Sequence, residues 1–155
     1  MLCLALYATG CLNAPDYADE PFIEFLSLSK DTLRQGVFME DSLTVRFRFE
    51  DGDGDIGRDE QGLENNIFFI DTRTGEIDNT FGIPAIPVEG ASRGVEGVVK
   101  IVLFTTCCIY TDGEDPCVSH PSVQFDTIQY KIYITDQANN RSNEILTTPI
   151  ILRCK

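Results

Sequence analysis

Three aspartates at alternate positions, Asp51, Asp53 and Asp55, stand in the run Glu50-Asp51-Gly52-Asp53-Gly54-Asp55-Ile56-Gly57. Carboxylates crowded this closely repel one another unless a cation sits between them, and the intervening glycines let the chain curl so that several oxygens turn to one point. The chemistry implied is chelation of a hard divalent cation. Calcium is the expected cofactor, with Asp51, Asp53 and Asp55 as carboxylate ligands. A solvated acidic turn is the alternative, since β-turns select Asp and Gly on their own account. The loop fails the EF-hand pattern: counted from Asp51, position 6 is Ile56 where glycine belongs, and position 12 is Gly62 where a bidentate glutamate belongs. Asp59, Glu60 or Glu64 could add oxygens further along.

The elements that must position this loop read as strands. Ser42 to Glu50 alternates, with Leu43, Val45, Phe47 and Phe49 on one face and Thr44, Arg46 and Arg48 on the other. Asp126 to Thr135 does the same, with Ile128, Tyr130, Ile132 and Ile134 opposing Thr127, Gln129, Lys131 and Tyr133. Further strands are expected at Phe22–Ser29, Ile67–Asp71, Val95–Thr106 and Glu144–Arg153. Weaker ones fall at Leu33–Met39, Glu76–Phe81 and Ile86–Glu89. Arg73-Thr74-Gly75 reads as a hairpin turn, and Pro149 requires a sheet edge or a bulge in the last strand. Seven to nine short strands with no convincing helix imply an all-β, antiparallel β-sandwich.

The segment Asp126-Thr127-Ile128-Gln129-Tyr130-Lys131-Ile132 resembles the F strand of immunoglobulin-like domains, which makes Tyr130 the expected tyrosine-corner residue. Ile132 stands where cysteine is usual and the chain has no tryptophan, so the nearer likeness is to fibronectin III or cadherin-like sandwiches. The strand order this resemblance implies brings the loop after Ser42–Glu50 together with Asp136–Asn143 at one end. Asp136, with Asn139 or Asn140, then completes the calcium ligand set. Cys107, Cys108, Cys117 and Cys154 collect at the other end. Alternation along the strands favours Cys107 with Cys154 and Cys108 with Cys117. Zinc is the rival reading, but adjacent cysteines chelate poorly, His120 is the sole histidine and no CxxC occurs.

Met1 to Gly10 is uncharged and mostly apolar, and it leads into Tyr7-Ala8-Thr9-Gly10-Cys11. This resembles a bacterial lipoprotein signal, although Ala8 stands where leucine is usual and no basic n-region precedes it. The resemblance implies a signal peptide over 1–10, lipidation of Cys11, a tether over 11–21 and one sandwich domain over 22–155. Removal of Cys3 and lipidation of Cys11 leave four cysteines, and an even count in an oxidising compartment implies two disulfides. The tether acids resemble surface-export signals of Bacteroidota lipoproteins. Ser42 to Gly57 likewise resembles a strand-plus-loop segment of Bacteroidota surface lipoproteins of unassigned role. The expected place is the outer membrane of the bacterial envelope, exposed at its surface, with the tether entering beside the metal loop.

Charge and missing motifs narrow the function. The 155 residues carry 25 acidic and 12 basic side chains, a net charge of −13, which disfavours nucleic acid and anionic lipid as partners. His120 reads as a surface loop residue beside the cysteines, and neither a nucleophile elbow, a phosphate loop nor a dinucleotide fingerprint occurs. The expectation is a non-enzymatic, lipid-anchored adhesion or assembly module with a protein or glycan partner. A carbohydrate-binding accessory protein of an uptake system is the second reading, and a hydrolase the third.

Overall fold

The structure, a computed structural model, describes residues 17–59, 61–87 and 94–155. The expected signal peptide, Cys11 with its expected lipid, Glu60 and the end of the expected Ile86–Glu89 strand lie outside them. Ten strands and no helix occur among the described residues: β1 (Phe22–Leu28), β2 (Thr32–Arg34), β3 (Ser42–Asp51), β4 (Ile67–Asp71), β5 (Ile77–Phe81), β6 (Val95–Phe104), β7 (Phe125–Ile128), β8 (Tyr130–Ile134), β9 (Ile145–Leu146) and β10 (Ile150–Arg153).

They form three sheets, ordered β1-β3-β6, β5-β4-β8-β9 and β2-β10-β7. The inward faces build one core, in which Val45, Phe47, Phe69, Ile132, Ile134 and Ile150 are wholly buried. The architecture is an all-β sandwich. The period-two reading of β3 and β8 holds, because each has one face against this core and one in water.

Ten strands exceed the expected nine, although Ile86 and Pro87 form none, because two long strands are each interrupted. Gln129 separates β7 from β8, and 147–149 separate β9 from β10. At this break Thr147 N–H donates to Tyr130 O, and Thr147 Oγ1 accepts from Tyr130 N–H, both at 3.0 Å. A side chain thus supplies the bond that a continuous ladder would have made, and Pro149, which has no donor, sits in the gap. The sandwich is also not wholly antiparallel, since the short β2 pairs parallel with β10.

Three details at the end where β3 begins depart from expectation. Tyr130 makes no tyrosine corner: its hydroxyl donates to the Asp78 carboxylate at 2.8 Å, across the sheet on β5. Burial and the nearby Asp78 charge push its pKa up. The disulfides are Cys107–Cys117 and Cys108–Cys154, with Cα separations of 4.6 and 5.9 Å, not the pairing that alternation favours. β6 ends at Phe104 rather than Thr106, and the alternation ends with it. Cys108, not Cys107, is therefore the buried residue facing Cys154.

His120 is likewise buried rather than a surface residue. One ring nitrogen, Nε2, lies 2.8 Å from Asp112 Oδ2, and Nδ1 accepts the N–H groups of Ser122 and Val123. Both nitrogens are committed to shaping their own loop.

Candidate metal centre

The alternation that builds the core does not stop where the apolar residues do. On β3 the inward positions are Leu43, Val45, Phe47 and Phe49, and the next in phase is Asp51, fully buried. On β8 they are Tyr130, Ile132 and Ile134, and the next in phase is Asp136, just past the strand and also fully buried. Strands from two different sheets thus each carry an aspartate where the period calls for an apolar side chain. Together these residues close one end of the core with carboxylates.

The loops carrying them meet, through Gln137 N–H to Asp55 O and Ala138 N–H to Asp55 Oδ2, both 3.2 Å. Asp51, Asp53 and Asp55 each bring a carboxylate oxygen within 4.8 Å of the others. Two oxygens bound to one calcium at 2.3–2.6 Å can be at most about 5 Å apart, so one ion can reach all three. Asp53 is exposed and Asp55 half-buried, so the cluster opens to solvent on one side.

Hydrogen bonding within the cluster is uneven. Asp136 is clamped by Asn140, whose N–H and Nδ2 donate to its two oxygens at 2.7 and 2.8 Å. Both oxygens of Asp51 and Oδ1 of Asp55 are buried with no hydrogen-bond partner among the described residues. Burial pushes the Asp51 pKa up to about 7, helped by the charges of Asp53, Asp55 and Asp136. The Ile56 N–H opposes this only weakly and does not reach hydrogen-bond geometry. Asp55 is also raised, by burial first and then by Asp136 and Asp53.

Arg58, not anticipated from sequence, is the nearest cation in the hydrogen-bond network among the described residues, and it does not neutralise the cluster. Its Nη2 donates to Asp136 O, Asn139 Oδ1 and Thr135 Oγ1 at 2.7, 3.0 and 3.2 Å. All three acceptors are neutral, and among the described residues Arg58 forms no ion pair within 4.0 Å. Asn139 is thereby spent on Arg58, and Asn140 serves Asp136.

Asp59 is occupied as well, accepting the N–H groups of Gln61, Leu63 and Glu64. Those bonds hold its pKa below the usual carboxylate range.

The opposite end of the sandwich supplies an internal control. Asp71, in phase with buried Ile67 and Phe69 on β4, is also a core-facing carboxylate. Arg73 answers it: Nε bonds both of its oxygens at 3.1 Å, Nη2 reaches Oδ2 at 2.6 Å, and Nη1 holds Asp126 at 2.6 Å. Among the described residues, one buried aspartate therefore has a basic partner and Asp51 has none.

The segment before β1 is seated on the same loop rather than standing free as a tether. Gly52 N–H donates to Ala18 O at 2.8 Å, and Tyr17 OH donates to Glu96 at 2.9 Å. A side chain on Gly52 would overlap the carbonyls of Tyr17 and Ala18. Here the glycine is needed for close approach, whereas Gly54, at φ +75°, is needed for the turn.

Comparisons with protein-family models, with curated proteins and with solved structures give no match to this chain.

Proposed function

We propose that this chain is a non-enzymatic interaction module of the bacterial envelope. In this reading lipid on Cys11 holds it to the membrane, and a calcium ion on Asp51, Asp53 and Asp55, with Asp136 alongside, orders it at the end nearest the membrane. The carrying observation is Asp51, fully buried with neither oxygen hydrogen-bonded among the described residues, beside three further aspartates. An ionised carboxylate in that position is costly without a counter-charge. An all-oxygen, carboxylate-rich set suits calcium, whose flexible coordination accepts side chains from two loops. Asn140 positions Asp136, and Arg58 positions the loop.

The anchor rests on the lipoprotein resemblance of Tyr7 to Cys11. Tyr17 and Ala18 seated on Gly52 would let the ion set the angle at which the domain leaves its membrane. At the far end of β3, Val37, Phe38 and Met39 are exposed in succession at 69, 77 and 73%. Exposed apolar runs of this kind mark protein contacts, and we assign partner binding to that tip. A non-catalytic role is favoured because His120 is committed to its loop and the clustered carboxylates converge on one point instead of flanking a cleft.

Thermal melting in chelator and in calcium tests the reading. The wild type gains stability with calcium and Asp53→Ala gains little; no gain in either, or equal gains in both, refutes it.

A further inference from the structure

β6 is an outer strand of its sheet, so one side of it has no strand partner among the described residues. It runs ten residues without proline or bulge, in unbroken register with β3 from Ser42↔Phe104 to Asp51↔Val95. Exposed edges are ordinarily blunted by brevity, proline or a bulge, because their unpaired N–H and C=O groups template another strand. Here the outer face alternates Glu96, Val98, Lys100, Val102 and Phe104, all exposed. Lys100 lies in register with another cation, Arg46, and neither has an acidic partner within 4.0 Å among the described residues. Beside this edge runs a groove of about 680 Å³, lined by Val99, Ile101, Phe81 and Ile83 among others.

We propose that β6 pairs antiparallel with β6 of a second copy, about a two-fold axis at Val98, joining two three-stranded sheets into one. The sequence of the strand selects this register. Centred on Val98, Glu96 faces Lys100 of the second copy, the same pair repeats on the other side of the axis, and Val98 faces itself. Centring on Val99 sets both charged residues against valines. Centring on Lys100 sets lysine against lysine. Directly opposed unlike charges favour a strand pair and like charges oppose it. Each Lys100 thereby gains the acidic partner that it lacks within one copy, and the added strand lies along the mouth of the apolar groove. The net charge of −13 on each copy opposes association only weakly at physiological salt, where charges more than about 8 Å apart are largely screened.

Sedimentation equilibrium of the protein at physiological salt tests the pairing. Dimers are expected, with Lys100→Glu and Glu96→Lys each weakening association roughly tenfold or more, and the double exchange restoring it because both pairs re-form with signs swapped. Circular dichroism melts confirm that the variants fold, and Lys100→Glu carries the comparison because Glu96 also accepts from Tyr17. Under oxidation Val98→Cys should link to its own copy across the axis, as mapped by mass spectrometry, whereas Val102→Cys should not. A monomer at all concentrations, an unchanged Lys100→Glu dimer, a double exchange that fails to restore, or equal linking at both positions overturns the proposal.

Discussion

Replacing Asp51 with asparagine is expected to stabilise the protein when no cation is present, the reverse of what most buried substitutions do. Asp51 is fully buried, and its pKa rises from 3.8 to about 7. At 1.36 kcal/mol per tenfold change in proton affinity, keeping it ionised in the fold costs about 4 kcal/mol. A carboxyl whose folded pKa lies above its unfolded value stabilises the fold while protonated. That contribution is complete below pH 3.8 and is lost as pH rises through about 7. Asparagine carries no such penalty, and its amide can donate toward the unpartnered Asp55 Oδ1. In chelator the Asp51→Asn advantage should therefore be about 4 kcal/mol at pH 8, but only about 1.5 kcal/mol at pH 5, where the wild type folds protonated. For a domain of this size the pH 8 value is roughly 10 °C in midpoint. In millimolar calcium the wild type should recover about 0.5–1.5 kcal/mol, taking the weak affinity typical of extracellular modules. The variant should recover almost none. Urea unfolding at both pH values, with and without calcium, reads all four quantities. A variant less stable than wild type in chelator at pH 8, or an advantage that does not change with pH, would refute the reasoning.

The opposite end of the sandwich should behave in the opposite sense, since Arg73→Met leaves Asp71 buried without its partner and should cost about 3–5 kcal/mol in urea unfolding. Removing Cys108–Cys154, which spans 46 residues, should cost about 4 kcal/mol. Removing Cys107–Cys117, which spans 10, should cost about 2.7 kcal/mol, so the order of the two melting losses checks the connectivity. Gly52→Ala should free Tyr17 and Ala18 from the loop, read as faster proteolysis before Phe22. Calcium should slow the same cleavage in the wild type, and equal rates with and without calcium would remove the link between ion and tether.

Much of this fold was legible because a half-buried strand repeats every two residues. Leu43 to Phe49 and Ile128 to Ile134 declared their faces, whereas Pro149 pointed to an edge or a bulge and the strand instead breaks there into β9 and β10. The convergence of the Asp51 and Asp136 loops followed from strand order. What escaped lay where the period ends. Cys107 and Cys108 lie beyond the last residue of β6, so their phase cannot be carried forward from Leu103, and the pairing inverts. Tyr130 met Asp78 because β5 packs close to it, a tertiary fact with no local signal. The burial of Asp51 and Asp136 did leave a signal: both continue the inward phase of their strands, yet an aspartate after a strand reads first as loop. That Asn139 serves Arg58 and not the cluster depends on a side chain more than 80 positions away in the chain.

A crystal structure of the protein grown with calcium is the most direct test of the central claim, that a cation completes the end of this core. The account predicts one ion within 2.3–2.6 Å of oxygens from Asp51, Asp53 and Asp55, with Asp136 held alongside by Asn140. Well-ordered loops with no ion between them, or calcium bound only to exposed acids elsewhere, would contradict it.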